Sequence, residues 1–476
     1  LSFLPAFASS TLAATKEQSM KIGIGITVHN RHITAAHSIE QIKKFAPENA
    51  EIVIVDDASA TPFPKSTYRF THNAGIARAK NKCLELLDDC DYIFLFDDDC
   101  YPVKEGWAEA YISTGANHLM FTFSHLHNGR TNGNKQSQPV GDLLSYVNPC
   151  GCMLFFTKKC LDAVGGFDVA YGRYGSEHAD LSTRIFNAGL TPARFCDISD
   201  SLQYFYSADY YMNVESSVPN RKRWIEENKP RLAALGNSAA YKPYKGADNV
   251  VLTSYFTHTT DSQRNKTWQP DIVSVLPLAE SVKKHGWRTI LFHNCFSPET
   301  VKQYESPSLI FIEVEKTAER NPYDYRWLVY LNHLNKYRHD AVFCTDATDV
   351  LMLRPPHPLP EKIYIGDEYD NQLNNEWLRK TVQPYLKICD YQSVVNDNAH
   401  CTLLNAGIVG GQYAKMVEFL LCVQQFMKPE PVHLTDMGVI NYVARTAFAG
   451  ELVNGTIVNT RFKYNEKNQT SWFKHK

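Results

Sequence analysis

Three consecutive carboxylates, Asp97, Asp98 and Asp99, follow directly on the apolar run 92–96 (YIFLF). Alternate residues of an extended segment point the same way, so Asp97 and Asp99 face one side together. Two carboxylates on one side attract a hard divalent cation such as Mn2+ or Mg2+. An ion so held can bridge a diphosphate and take up the charge that develops on a leaving group. The other reading is a solvated turn behind a buried strand, but three adjacent acids repel one another without a counter-ion. A second acidic stop, Asp346-Ala347-Thr348-Asp349, follows the apolar run 341–345 (AVFCT). Its two acids are three apart and converge on a metal only if the chain turns between them. A helix or turn cap before residues 350–353 is the alternative there.

The elements that must position these acids alternate between short apolar runs and amphipathic stretches. Residues 21–28 (KIGIGITV) and 51–55 (EIVIV) read as strands, and 33–45 and 76–87 carry helical spacing. After a segment at 236–247 that is short of large aliphatics, the pattern restarts. Strands are expected at 250–255, 289–293, 309–314 and 341–345, with helices at 272–285 and 325–335. Strands separated by helices of this length imply a mostly parallel, helix-covered sheet, with ligands bound past the carboxyl ends of the strands. Both acidic stops lie at such ends. Each half therefore runs strand, helix, strand, helix, then a strand ending in acids, and two similar α/β folds in tandem are expected. The expected organisation is a leader remnant over 1–19, domains over 20–238 and 249–476, and a linker over 239–248.

The neighbours of the first stop form an ordered set. VHNR at 28–31 and VDDAS at 55–59 follow the first two strands, and NAGIARAKN at 73–81 opens the next helix. GGFD at 165–168 precedes EHADLSTR at 177–184. In this order the set resembles family 2 glycosyltransferases of the GT-A fold, with features of the polypeptide N-acetylgalactosaminyltransferases, over roughly residues 20–215. The resemblance implies a pocket for a nucleotide-sugar. Thr27, His29 and Arg31 would line its nucleotide side, and Asp57 would accept from the base edge. Asn73, Gly75 and Arg78 would border the ribose and diphosphate. Asp97 would touch ribose or sugar, Asp98 would lie beside it, and Asp99 would bind the metal. Gly151 would keep the acceptor side open. Glu177 would bond sugar or acceptor hydroxyls. Inverting relatives commonly place Asp directly after that Glu as general base, and here the position is His178. Histidine removes a proton near neutral pH; Glu177 and Asp180 are the other candidates. A third metal ligand, often a late His, has no evident counterpart, and Gln203 and Tyr204 occupy that region.

The spacing of Asp346 and Asp349 resembles the DxxD form of the glycosyltransferase domain of collagen-modifying lysyl hydroxylases and of family 8-like proteins, over about 250–465. LNAGIVGG at 404–411 resembles the sugar-facing segment, so Asn405 and Gly407 would contact the donor; a plain turn is the alternative. Thr435-Asp436-Met437 resembles the segment that places an acid, Asp436, near the acceptor. Residues 458–462 (VNTRF) resemble the closing strand. The late His ligand of that family is not assigned: His475 stands at the very end of the sequence and reads as tail. Each active domain is thus expected to hold one Mn2+ or Mg2+ and a nucleotide-sugar, with uridine donors implied by the resemblance.

Composition narrows the partners. With 49 Lys and Arg against 51 Asp and Glu the net charge is −2, so no global basic field supports a nucleic-acid partner. Glycan, protein and modified base all stay open as acceptor. No run reaches the roughly 20 apolar residues of a membrane span. The twelve cysteines lack paired spacing and read as buried thiols of a cytoplasmic protein; a secretory reading of residues 1–19 would reverse that. Cys150-Gly151-Cys152 lacks zinc-knuckle spacing. His118, His125 and His127 read as core or surface histidines before metal ligands, and 221–224 (RKRW) as a solvated helix face before a mobile loop. Sequons stand at Asn265, Asn454 and Asn468. Three rival readings stay open: one half as a sugar-binding scaffold, a nucleotidyltransferase that makes the nucleotide-sugar, and a lectin-like adhesin.

Overall fold

The computed structural model describes residues 20–136, 139–212, 221–257, 260–261 and 266–476. Residues 1–19, expected as a leader remnant, and the sequon residue Asn265 lie outside them.

Two mainly parallel sheets organise the chain. The first holds the strands Ile22–Val28, Glu51–Asp56, Tyr68–Arg69, Tyr92–Asp97, His118–Met120 and Met153–Thr157. Numbered by their place in the chain, they lie side by side in the order 3-2-1-4-6-5. The second sheet holds Val250–Tyr255, Arg288–His293, Leu309–Glu313, Ala341–Thr345, Ile363–Gln372, Thr402–Gln412 and Leu452–Val453. Its order, 3-2-1-4-6-5-7, repeats the first with one strand added. In both sheets strands one to four are parallel and the sixth runs antiparallel to the fourth. The α/β class and the occurrence of two similar sheets in succession are therefore as the alternating pattern predicts. Each acidic stop follows the fourth strand, in the middle of its sheet.

The near-continuous apolar runs of the central strands are explained by burial on both faces. Trp107 packs edge-on against Phe94 at 4.8 Å on one face, and the helix Ile76–Leu86 covers the other with Ala77, Ala79, Cys83 and Leu84. In the second half the helix Pro322–Leu334 plays that part. It is started by Asn321, whose side chain accepts from the N–H groups of Tyr323 and Asp324, and Pro322 sits at its first position.

Three expectations shift. The helix expected over 272–285 is a 3-10 turn, Ile272–Ser274, followed by the helix Leu276–Lys284, because Pro277 starts a new helix. The closing strand is not 458–462 but Phe473–His475, which pairs antiparallel with Val350–Met352. Residues 458–460 serve as its backbone partner, with Phe473 N donating to Val458 O and Thr460 N to Phe473 O. The segment read as a linker is packed: Tyr244, Ala247 and Asp248 are buried, and Lys242 bridges to Gly165.

Asp248 is the hub of the junction. It is fully buried, its Oδ1 accepts from Arg288 Nη1 at 2.8 Å, and its Oδ2 faces His339 Nδ1 at 3.0 Å and Tyr68 OH at 2.6 Å. Lys82 of the first half donates to Asp340 of the second at 2.7 Å. No described helix is long and apolar enough to cross a membrane. All twelve cysteines are unpaired.

Candidate active site

In the first sheet, register brings Thr27 opposite Asp97, and Val28 opposite Asp56, so the expected residues share one edge. The acid run does not stand bare there. Arg31 Nη1 meets Asp98 Oδ1 at 3.0 Å and its Nη2 meets Asp99 Oδ2 at 2.6 Å. Lys80 Nζ meets Asp97 Oδ1 at 3.0 Å and donates to Gly151 O at 3.2 Å. Burial opposes the charge on Lys80, but Asp97 and Glu177 more than restore it. Burial pushes Asp98 up to about 8, with Arg31 opposing and Asp99 adding. Among the described residues Asp97 and Asp99 belong to no trio of His, Cys, Asp or Glu ligand atoms within 4.8 Å. Asp209 adds a further acid at the rim: partial desolvation and then the charge of Asp99 raise its pKa. It reaches the site because its helix, Ala208–Tyr211, follows the strand Phe205–Ser207, which pairs with Cys100–Pro102.

Several expected contacts are placed elsewhere. Asp57 is buried, and its two oxygens accept from the N–H groups of Ala74 (2.6 Å) and Gly75 (3.0 Å), so it fixes the 73–75 loop. His29 bonds Asp57 O at 2.7 Å, and Asn73 lies 3.3 Å from its ring. Gly75 has φ +87°, and a Cβ there would stand 2.2 Å from Gly172 O, so the loop is pressed onto the 172–173 backbone. Arg78 points away from the acids and donates to Ala247 O at the junction, 3.2 Å away. Two residues on along a helix is 200° round, which is why Lys80 reaches the site and Arg78 does not.

The helix Glu177–Asn187 separates its polar residues by role. Glu177 Oε2 accepts from Gly175 N at 2.9 Å, and its Oε1 faces His178 Nδ1 at 3.1 Å. Burial raises the pKa of Glu177, but the hydrogen bond and charge of His178, then Lys80, outweigh it and hold the acid at about 2. A Cβ on Gly151 would lie 3.1 Å from the His178 ring, so the glycine leaves that ring its room. Asp180, expected as a candidate base, is instead part of a buried clamp. It accepts from Arg184 Nε at 2.6 Å and Tyr171 OH at 3.1 Å, and Arg184 donates onward to Val164 O and Gly166 O. His118 is buried, stacked on Phe156 and bonded to Ser182, while His125 and His127 are exposed. Gln203 and Tyr204 lie with Lys104 at the surface rather than at the acids. The basic stretch at 221–224 opens the helix Arg221–Leu235, where Arg223 pairs with Glu227.

In the second half the acids do converge. Asp346, Asp349 and His475 each offer a ligand atom within 4.8 Å of the others. The strand pairing that sets Val350 opposite His475 delivers the histidine, and Lys476 N donates to Asp349 O at 2.9 Å. His475 is thus a site residue that its place in the sequence concealed. Arg326 is a second. Its Nη1 contacts Asp346 Oδ1, and its Nη2 donates to Asp436 Oδ2 at 2.9 Å and Ala406 O at 3.2 Å. Burial works against the Asp346 carboxylate, but Arg326 and His475 hold it well below the usual range. Asp436 also accepts from Trp327 Nε1 at 3.3 Å. Asn405 accepts from Gly407 N at 2.7 Å and donates to Glu368 Oε1 at 2.9 Å. A Cβ on Gly407 would lie 2.4 Å from His475 Cε1 and 2.7 Å from Asp346 Oδ2, so only glycine leaves the cluster open. These residues line a cleft of about 820 Å3 together with Tyr255, Trp268 and Trp377.

Known proteins resemble parts of this chain. Residues 24–114 match glycosyl transferase family 2, and residues 135–208 match the N-terminal domain of galactosyltransferase. An uncharacterized glycosyltransferase of Acanthamoeba polyphaga mimivirus is 30% identical over 221 residues, which are 42% of this chain and 84% of the viral protein. Among solved structures, that of GalNAc-T7 with UDP, GalNAc and Mn2+ aligns with 13% identity and a TM-score of 0.34, over 46% of this chain and 48% of that one. The chain spans about half the length of that solved protein. The viral relative, covered over most of its length, places the protein in its family: the chain is a glycosyltransferase.

Proposed function

We propose that the chain carries two transfer sites, one in residues 20–238 and one in 249–476, joined through 239–248. Each takes a uridine diphosphate sugar and passes the sugar to an acceptor hydroxyl, the two transfers being successive. The observation that carries this reading is the convergence of Asp346, Asp349 and His475 at the floor of a cleft, at the strand end where the first half has its own acids. Two carboxylates and an imidazole suit Mn2+ or Mg2+, and the space kept by Gly407 suits an ion and a sugar oxygen. A bound divalent ion supplies positive charge for the leaving diphosphate.

The chain's own groups do the rest. Arg326 keeps Asp346 ionised and anchors Asp436 toward the cleft. Asn405 and Glu368 offer a paired donor and acceptor to sugar hydroxyls. In the first half, Arg31 and Lys80 bring two cations to the acid run, where they can meet phosphate oxygens. His178 takes the acceptor hydroxyl proton at Nε2, with Glu177 fixing the ring through Nδ1. An acid held at about 2 stays ionised across the working range and stabilises the imidazolium that results.

Product analysis with Asp99→Asn and Asp349→Asn tests the reading. The two variants should stop different steps. Loss of the same single step from either would sink it. A second reading, with transfer in one half and a sugar-binding scaffold in the other, is favoured by one observation: Arg31 and Lys80 already neutralise the first acid run. Titration of either variant with nucleotide and Mn2+ separates the two.

A further inference from the structure

A second cleft, of about 1420 Å3, opens at the junction of the halves, and neither acid cluster lines it. Its walls come from the helix Arg221–Leu235, the 241–249 segment and the turn after the helix Leu276–Lys284. Arg78 lies on this wall. It is 2% exposed, and its one hydrogen-bond partner among the described residues is the carbonyl of Ala247. A buried guanidinium needs a counter-charge, because an unpaired ion loses its hydration on burial with nothing to replace it. Nearby acids do not supply it. Asp248 is taken by Arg288, His339 and Tyr68, and Asp57 by two backbone N–H groups.

The other acids of the cleft are taken as well. Glu85 and Asp340 pair with Lys82, Asp168 with Lys242, and Glu227 with Arg223. Arg78, Lys284 and Arg338 of the lining form no ion pair with a carboxylate among the described residues, and Arg231 lies over the Tyr171 ring at 5.7 Å, where its charge also lowers the pKa of Asp168. Burial and the charge of Arg288 pull the Arg78 guanidinium down to about 9, the direction expected of a cation that lacks its anion. At neutral pH it still carries its proton. The three outer cations are exposed, and Trp224 and Tyr241 stand beside them. A cleft this large exceeds a single ion and suits a ligand of several rings or units.

We propose that this cleft binds an oxyanion-bearing ligand, a phosphate or a carboxylate on a molecule of oligosaccharide size, with Arg78 at its floor and Arg231, Lys284 and Arg338 at its rim. Arginine suits this because its planar fork pairs with two oxygens at once. The site stands apart from donor binding, so it holds or senses an anionic group while transfer proceeds elsewhere.

Isothermal titration of the full chain in metal-free buffer tests this, with inorganic pyrophosphate in one arm and trigalacturonate in the other. At least one arm should bind once per chain, and the arm that does identifies phosphate or carboxylate. The triple variant Arg231→Gln, Lys284→Gln, Arg338→Gln changes only exposed side chains and should weaken binding at least tenfold. Arg78→Met, checked for folding by circular dichroism, should abolish it. The variant Arg31→Gln, which removes a cation that the first acid run could offer to a phosphate, should bind as the wild type does. Absence of binding in both arms, full binding by the triple variant, or loss of binding in Arg31→Gln would overturn the proposal.

Discussion

His475 Nε2 lies 3.7 Å from Asp346 Oδ2, although 129 positions separate the two residues in the sequence. The strand Phe473–His475 closes that distance by pairing with Val350–Met352. A residue at the end of the chain therefore completes a cluster begun at the end of the fourth strand. The imidazole is buried, and its Nδ1 has no hydrogen-bond partner among the described residues.

Replacing this residue separates metal binding from folding. His475→Ala should weaken Mn2+ binding to the second half by at least tenfold, since removing even an outer-shell partner commonly costs 10–100-fold. Calorimetry with Mn2+ checks this. Unchanged affinity in His475→Ala would remove the histidine from the metal site.

Asp180 and Arg184 form an ion pair with almost no exposure, and both partners are otherwise bonded to protein. Asp180→Ala leaves a buried guanidinium uncompensated, and about 3–5 kcal/mol of stability should be lost. Urea denaturation measures this. The activity per folded molecule should change little, because Asp180 faces the clamp and not the acid run. A large fall in kcat with wild-type stability would restore Asp180 as a candidate base.

Glu177 gives a dependence on pH. Its carboxyl sits at about 2 in the folded chain against an ordinary 4.5. A depressed acid contributes stability that is complete above the unfolded value and lost as pH falls through the folded one. The wild type should therefore lose stability on going from pH 4.5 toward 2, by on the order of 3 kcal/mol from this group. Glu177→Gln should flatten that limb. Denaturation midpoints across this range would show it, and identical limbs in the two proteins would refute it.

How far the sequence reveals the site follows from the range of each interaction. The acids themselves are legible, because an apolar run that stops in carboxylates marks the end of a buried strand. So is the tandem fold, whose repeated order follows from the repeated strand–helix pattern. The partners of the acids are not. Lys80 and Arg78 lie two apart on one helix, and only its packing decides which of them meets Asp97 and which meets Ala247. Arg326 sits within an apolar helix face and reads as an interruption until Asp346 and Asp436 are placed on either side of it. Asp57 and Asp180 resemble site residues by position, yet each is consumed by bonds to the chain. Such choices are made by contacts across long stretches of sequence, which local spacing does not encode.

The junction makes the two halves interdependent. Asp248 compensates Arg288, and Arg288 Nη2 in turn donates to His72 O at 3.3 Å, one residue before the 73–75 loop that Asp57 fixes. Asp248→Ala should therefore do two things. It should destabilise the chain by about 3–5 kcal/mol by leaving the fully buried Arg288 unpaired. It should also loosen the first site, since the second half's hold on His72 weakens with Arg288. Hydrogen exchange would then show faster amide turnover at Ala74 and Gly75, whose N–H groups are bonded to Asp57 in the wild type. The Asp346–Asp349–His475 cluster is held by its own strand pairing and should keep its Mn2+ affinity. Equal exchange at the loop, or an equal loss at both sites, would show that the junction joins the halves without linking the second half to the first site.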